Sequence, residues 1–89
     1  MQFMTVYTYS PEQRREVIEQ RVEKGALIPE GMKVLGEWSH VGGGKVFRLV
    51  EVSDPAVMAQ ATHPWASLGV IEMYPVMDTD KLLAVLGPK

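Results

Sequence analysis

VLGEWSHVGGGKVFRLVEV, residues 34–52, decides the fold. Two runs rich in β-branched and aromatic residues flank Gly42, Gly43 and Gly44. This pattern reads as a β-hairpin, because glycine takes the positive φ angles that a tight turn needs. The spacing predicts strands over 32–41 and 45–53. A three-residue loop pairs Val41 with Lys45, His40 with Val46 and Trp38 with Arg48. Trp38, His40 and Arg48 then share one face. The register matters, because a slip of one residue turns a strand's side chains to the other side.

Upstream, residues 2–9 alternate Phe3, Thr5, Tyr7 and Tyr9 with Met4, Val6 and Thr8, the period of a strand. Ser10-Pro11-Glu12-Gln13 opens a helix, with Ser10 as cap, Pro11 at the first position and Gln13 completing a capping box. Val17, Ile18, Arg21 and Val22 form its buried side, and Gly25 stops it. Downstream, Asp54-Pro55 caps a second helix that ends before Pro64. Residues 70–77 read as a fourth strand, and Pro75 within it predicts an edge position or a bulge. A last short helix spans 78–86, capped by Asp78 and stopped by Gly87-Pro88.

The order β-α-β-β-α-β places residues 1–89 in a single ferredoxin-like α+β domain with a four-stranded antiparallel sheet. Both helices cover one sheet face. The apolar phase (Met4, Val6, Leu35, Phe47, Leu49, Ile71 and Met73) is expected to meet them, with Glu37 and Glu51 as exceptions. The other phase holds Thr5, Tyr7, Tyr9, Trp38, His40, Arg48, Glu72 and Tyr74, with Val46, Val50 and Val70. It is too apolar to stand bare in water and too polar for a dry core.

YTYSPEQR (7–14), EGMKVLGEWSHVGGGKVF (30–47) and EMYPVMD (72–78) resemble the small bacterial DUF3303 family, of the dimeric α+β barrel superfamily. The resemblance covers almost the whole chain. It implies a protomer whose sheet packs against that of a second copy. It transfers no catalytic residues, since the family carries no established activity. The wider superfamily holds monooxygenases, haem proteins, isomerases and ligand-binding modules, so it restrains fold more than function.

Composition narrows the chemistry. A chain of 89 residues has a modest core, and self-association is a natural way to bury more surface. The net charge of −2 favours neither nucleic acid nor an anionic membrane. The absence of cysteine removes disulfides, thiol catalysis and thiolate metal sites, and suits a cytoplasmic location. No apolar run reaches membrane-spanning length. His40 and His63 lack a compact metal-ligand spacing, so no metal is expected. The Gly42–Lys45 run is not a phosphate loop, because Val46 follows the lysine and a strand begins. Ser39 and His40 point to opposite faces and cannot form a catalytic pair. No cofactor is implied.

His40 could move a proton near neutral pH, or it could be a hydrogen-bonded histidine at a hairpin end. Arg48 could grip a carboxylate, or pair with Glu72. Glu72 could be a general base if buried. Tyr7, Trp38 and Tyr74 could line an aromatic pocket or a dimer seam. His63 and Trp65, in the connection before the fourth strand, could lie at a pocket mouth or lid; the favoured reading is that Trp65 seals the core edge, with His63 in solvent. The favoured function is a homodimer that binds a small molecule on the sheet face. The alternatives are a cofactor-independent monooxygenase or isomerase, and a purely structural dimerisation module.

Overall fold

The computed structural model describes residues 1–87. Strands β1 (Gln2–Thr8), β2 (Met32–Ser39), β3 (Lys45–Val52) and β4 (Val70–Val76) alternate with helices α1 (Arg14–Lys24) and α2 (Ala56–Thr62), and α3 (Thr79–Leu86) follows. The sheet runs β2-β3-β1-β4 with every pair antiparallel, the ferredoxin-like arrangement expected. β4 is an edge strand, which is where Pro75 can forgo a ladder hydrogen bond.

Local signals explain the element ends. Asp54 Oδ1 accepts from the Ala56 N–H at 2.9 Å, and Asp78 Oδ1 from the Asp80 N–H at 2.8 Å. Gly25 closes α1 at φ 74°, its N–H donating to the Arg21 carbonyl. Pro88, the proposed stop after α3, lies outside the described residues. The start of α1 differs from expectation. The Gln13 N–H donates to the Ser10 carbonyl at 3.0 Å, and residues 10–13 form a turn instead of a side-chain cap, so the helix begins at Arg14.

The core sits where β3 meets α2. Val50, Val52 and Met58 pack together, with Phe3, Met32, Val34 and Val57 around them. Val50 is completely buried, a burial that contributes roughly 1.5–3 kcal/mol. Trp65, in a 3₁₀ turn over His63–Trp65, is buried, while His63 is exposed.

The predicted hairpin register is corrected. Ser39 pairs with Val46, Trp38 with Phe47 and Glu37 with Arg48. The His40 N–H donates to the Lys45 carbonyl at 2.9 Å, and the Gly43 N–H to the His40 carbonyl at 2.8 Å. The loop therefore holds four residues, 41–44. Val41, strand-like by composition, stands at the tip and is fully exposed. A bulge at Leu35, between Val34 and Gly36, shifts β2 by a further residue.

The assignment of faces is corrected with it. The helices cover the phase of Thr5, Tyr7, Val46, Arg48 and Val50, joined by Met32, Val34, Glu37, Ser39, Ile71 and Met73. Met4, Val6, Phe47 and Leu49 lie on the opposite, uncovered side with Trp38, Glu72 and Tyr74. A charged residue is tolerated under the helices because its opposite charge lies there too. Glu37 is directly across the ladder from Arg48.

Candidate functional site

The helix-covered side of the sheet holds a cavity of about 360 Å³, within the range of ligand pockets. α1 forms one wall through Val17, Ile18, Arg21 and Val22, and α2 contributes Met58, Ala61 and Thr62. The sheet supplies the floor. Only Val17 of α1 is buried, so the helix roofs the sheet without filling the space below it. Two polar clamps seat it. Gln20 Nε2 donates to the Pro64 carbonyl at 2.9 Å, and Arg21 reaches across to β2.

Three charges meet in the cavity wall. Arg21 Nη2 donates to Glu37 Oε1 at 2.8 Å and its Nη1 to Oε2 at 3.1 Å. Arg48 Nε donates to Oε2 at 2.8 Å, and its Nη2 contacts the same oxygen. Burial acts to raise the Glu37 carboxyl, but the hydrogen bonds and charges of Arg21 and Arg48 outweigh it and hold it below the usual carboxylate range. The hydrogen bonds to Glu37 likewise raise the Arg21 guanidinium, against the opposing effect of its partial burial.

The lining is also aromatic. Tyr7 lies edge-on to Trp65 with ring centroids 6.0 Å apart, and tilted against Tyr9 at 5.9 Å. The Tyr7 hydroxyl donates to the Trp65 carbonyl at 2.9 Å. Burial, and then the neighbouring Tyr9, push the Tyr7 hydroxyl upward, so it stays protonated near neutral pH. Trp65 Nε1 is buried without a partner among the described residues.

The six residues singled out from the sequence divide between the two faces. Tyr7 and Arg48 line the cavity. Trp38, His40, Glu72 and Tyr74 do not, and the register puts Trp38, Glu72 and Tyr74 on the uncovered face. His40 is exposed beside the hairpin loop, its Nδ1 3.1 Å from the Gly43 carbonyl. Glu72 accepts from the Tyr74 hydroxyl at 2.7 Å, which, with lesser effects of burial and charge, raises the tyrosine. The pairing of Arg48 with Glu72 is replaced by the pairing with Glu37.

Glu37, Arg21, Thr5 and Ser39 were not foreseen in the site. The available signal was Gly36. A Cβ there would lie 2.4 Å from Trp38 Cη2, so only glycine lets the indole fold back over the strand. A glycine inside a strand marks a bulge or a close approach, and the bulge just before it, at Leu35, puts Glu37 on the same face as Val34.

Among the described residues no three His, Cys, Asp or Glu side chains converge as a metal site, and no helix is long and apolar enough to cross a membrane. The family model of DUF3303, a domain of unknown function, matches residues 1–89, and the chain belongs to that family. Comparison with curated proteins gives no match. Among solved structures, a candidate antibiotic biosynthesis monooxygenase from Deinococcus radiodurans is similar at 12% identity and a TM-score of 0.49, over 86% of this chain and 92% of that one.

Proposed function

We propose that this DUF3303 protein binds a small molecule in the cavity between α1 and the sheet, and works in the cytoplasm as a homodimer joined through its uncovered sheet faces. One observation carries the binding reading. A cavity of about 360 Å³ lies among apolar side chains, with a charge cluster and an aromatic pair in its lining. A few placed polar groups in an apolar cavity are how ligand sites fix orientation. A purely structural module has no use for such a space, since unfilled volume in a core is destabilising.

The chemistry favours a binder over a monooxygenase- or isomerase-type enzyme. A general base needs a free lone pair and a pKa near the working pH. Glu37 is engaged by two guanidiniums and held low, and Tyr7 is held protonated. The described residues lining the cavity include neither His40 nor Glu72, the two residues put forward for proton transfer.

Val46 lines the cavity floor on β3. Val46→Phe is expected to keep the fold and to weaken capture of small aromatic molecules at least tenfold. The measurement is ligand-observed NMR against a fragment set, with native mass spectrometry of the purified protein for anything already bound. If fragments shift Trp38 and Tyr74 instead of Tyr7 and Trp65, or bind the variant equally well, the cavity is not the site.

A further inference from the structure

The cavity wall is not neutral. Among the described residues lining it, Arg21, Glu37 and Arg48 carry the formal charges, a surplus of one positive charge on a chain whose net charge is −2. Glu37 stays ionised near neutral pH, so the surplus is fixed there. Arg48 is the group best placed to express it. Its side chain is 16% exposed, and it lines the cavity. Glu37 takes the Nε and Nη2 side of the guanidinium. Nη1 has no partner among the described residues, and a guanidinium carries five N–H donors in all. The Nη1/Nη2 end of the fork is therefore free, the geometry that grips a carboxylate with two parallel hydrogen bonds.

The aromatic part of the lining asks for a different group. Tyr7 is uncharged and its hydroxyl proton is already donated, so a second charge finds no counter-ion there. The rings of Tyr7 and Trp65 offer an apolar, π-rich surface instead. Trp65 Nε1 is a buried donor still lacking an acceptor.

We propose that the cavity takes aromatic carboxylates, with the anionic group on the free end of Arg48 beside Glu37 and the ring against Tyr7 and Trp65. This assignment rests on the binding reading above and narrows it to a ligand class. Glu37 then has a defined part. It holds both guanidiniums in place and cancels one of their charges, leaving room for a single negative group.

The test is a matched pair of probes, 1-naphthaleneacetate and its uncharged amide, titrated by calorimetry and followed by NMR of the two indole N–H resonances. The acid is expected to bind at least about tenfold more tightly than the amide. The Trp65 resonance is expected to shift and the Trp38 resonance to stay. Arg48→Gln should bring the acid down to the affinity of the amide while leaving the amide unchanged. Equal affinity of acid and amide for the unaltered protein overturns the carboxylate assignment and leaves the cavity reading in place. Binding of neither probe up to millimolar concentration removes the cavity reading, and the assignment with it. The acid–amide comparison uses the unaltered protein, so it does not depend on the variant folding.

Discussion

Glu37 sits in β2 where alternation calls for an apolar side chain, and it instead joins α1 to β3 through Arg21 and Arg48. Removing its charge leaves two guanidiniums without their shared counter-ion. The cluster is partly open to solvent, so Glu37→Gln is expected to cost about 1–3 kcal/mol at neutral pH, the range for stranding part-buried polar groups. The pH dependence has a definite sign. The folded pKa of Glu37 is depressed, so its contribution is fully present above the unfolded value of about 4.3 and is lost as pH falls through the lower folded value. Urea unfolding between pH 6 and pH 3 should show a steeper loss for the unaltered protein than for Glu37→Gln. Parallel curves would mean that the cluster contributes nothing to folding. At this scale the sequence was only partly legible. Arg48 and Tyr7 stood out, and both line the cavity. Glu37 did not, because its value depends on facing Arg48, and that pairing is made by hydrogen bonds between residues distant from any local motif.

The hairpin loop shows why that pairing was misread. Three glycines announce a turn, but their order does not say which of them carry positive φ. Gly43 and Gly44 do, at 85° and 88°, and Gly42 does not. The turn is made by the bond from the Gly43 N–H to the His40 carbonyl, which places Val41 and Gly42 at its centre. A β-branched residue at a turn tip contradicts local propensity, and the loop lengthens by one without leaving a mark in composition. With the loop at four residues, Trp38 and Arg48 fall on opposite faces, and the pocket expected on the open sheet face gives way to one under the helices. The element order, the edge place of Pro75 and the carboxylate contacts of Asp54 and Asp78 were legible, since each rests on near neighbours in the chain. A matched pair of substitutions separates the glycines. A Cβ on Gly44 meets Tyr9 O at an ordinary 3.5 Å, so Gly44→Ala isolates the cost of its backbone angle. It is expected to destabilise by about 1–2 kcal/mol. Gly42→Ala has no such angle to strain; it displaces the exposed His40 ring and its contact with the Gly43 carbonyl, so its loss should be smaller, under about 1 kcal/mol. Equal midpoints in thermal unfolding of the two variants would contradict this reading of the turn.

Across the whole molecule, the reversal of sheet faces changes what the outside looks like. The side that helices do not cover carries Met4, Val6, Phe47 and Leu49 on the two central strands, with Leu35, Trp38, Val70 and Tyr74 exposed around them. α3 buries none of its described residues and presents Leu82, Leu83, Val85 and Leu86 to solvent. A sheet face this apolar, together with an exposed apolar helix, is more than a monomeric protein ordinarily leaves in water. In the homodimer proposed above a second copy covers it, the face meeting its own like in a two-fold arrangement that closes on itself. The polar rim already suits such a seam: Lys33, Lys45 and Glu51 lie at strand positions around the apolar centre, where hydration can be kept. The expected mass in sedimentation at micromolar concentration is therefore about 20 kDa, twice the 9.9 kDa of one chain. Leu49, on a central strand, is the position from which to break it. Leu49→Lys places a charge in the middle of the face, and in a dimer two such charges meet across the axis. The variant should sediment as a monomer while its circular dichroism and the Glu37 cluster remain intact, because Leu49 points away from the helix-side core. A 9.9 kDa species for the unaltered protein would refute the dimer. A Leu49→Lys protein that remains dimeric would move the interface off the sheet and onto another surface, with α3 the first to examine.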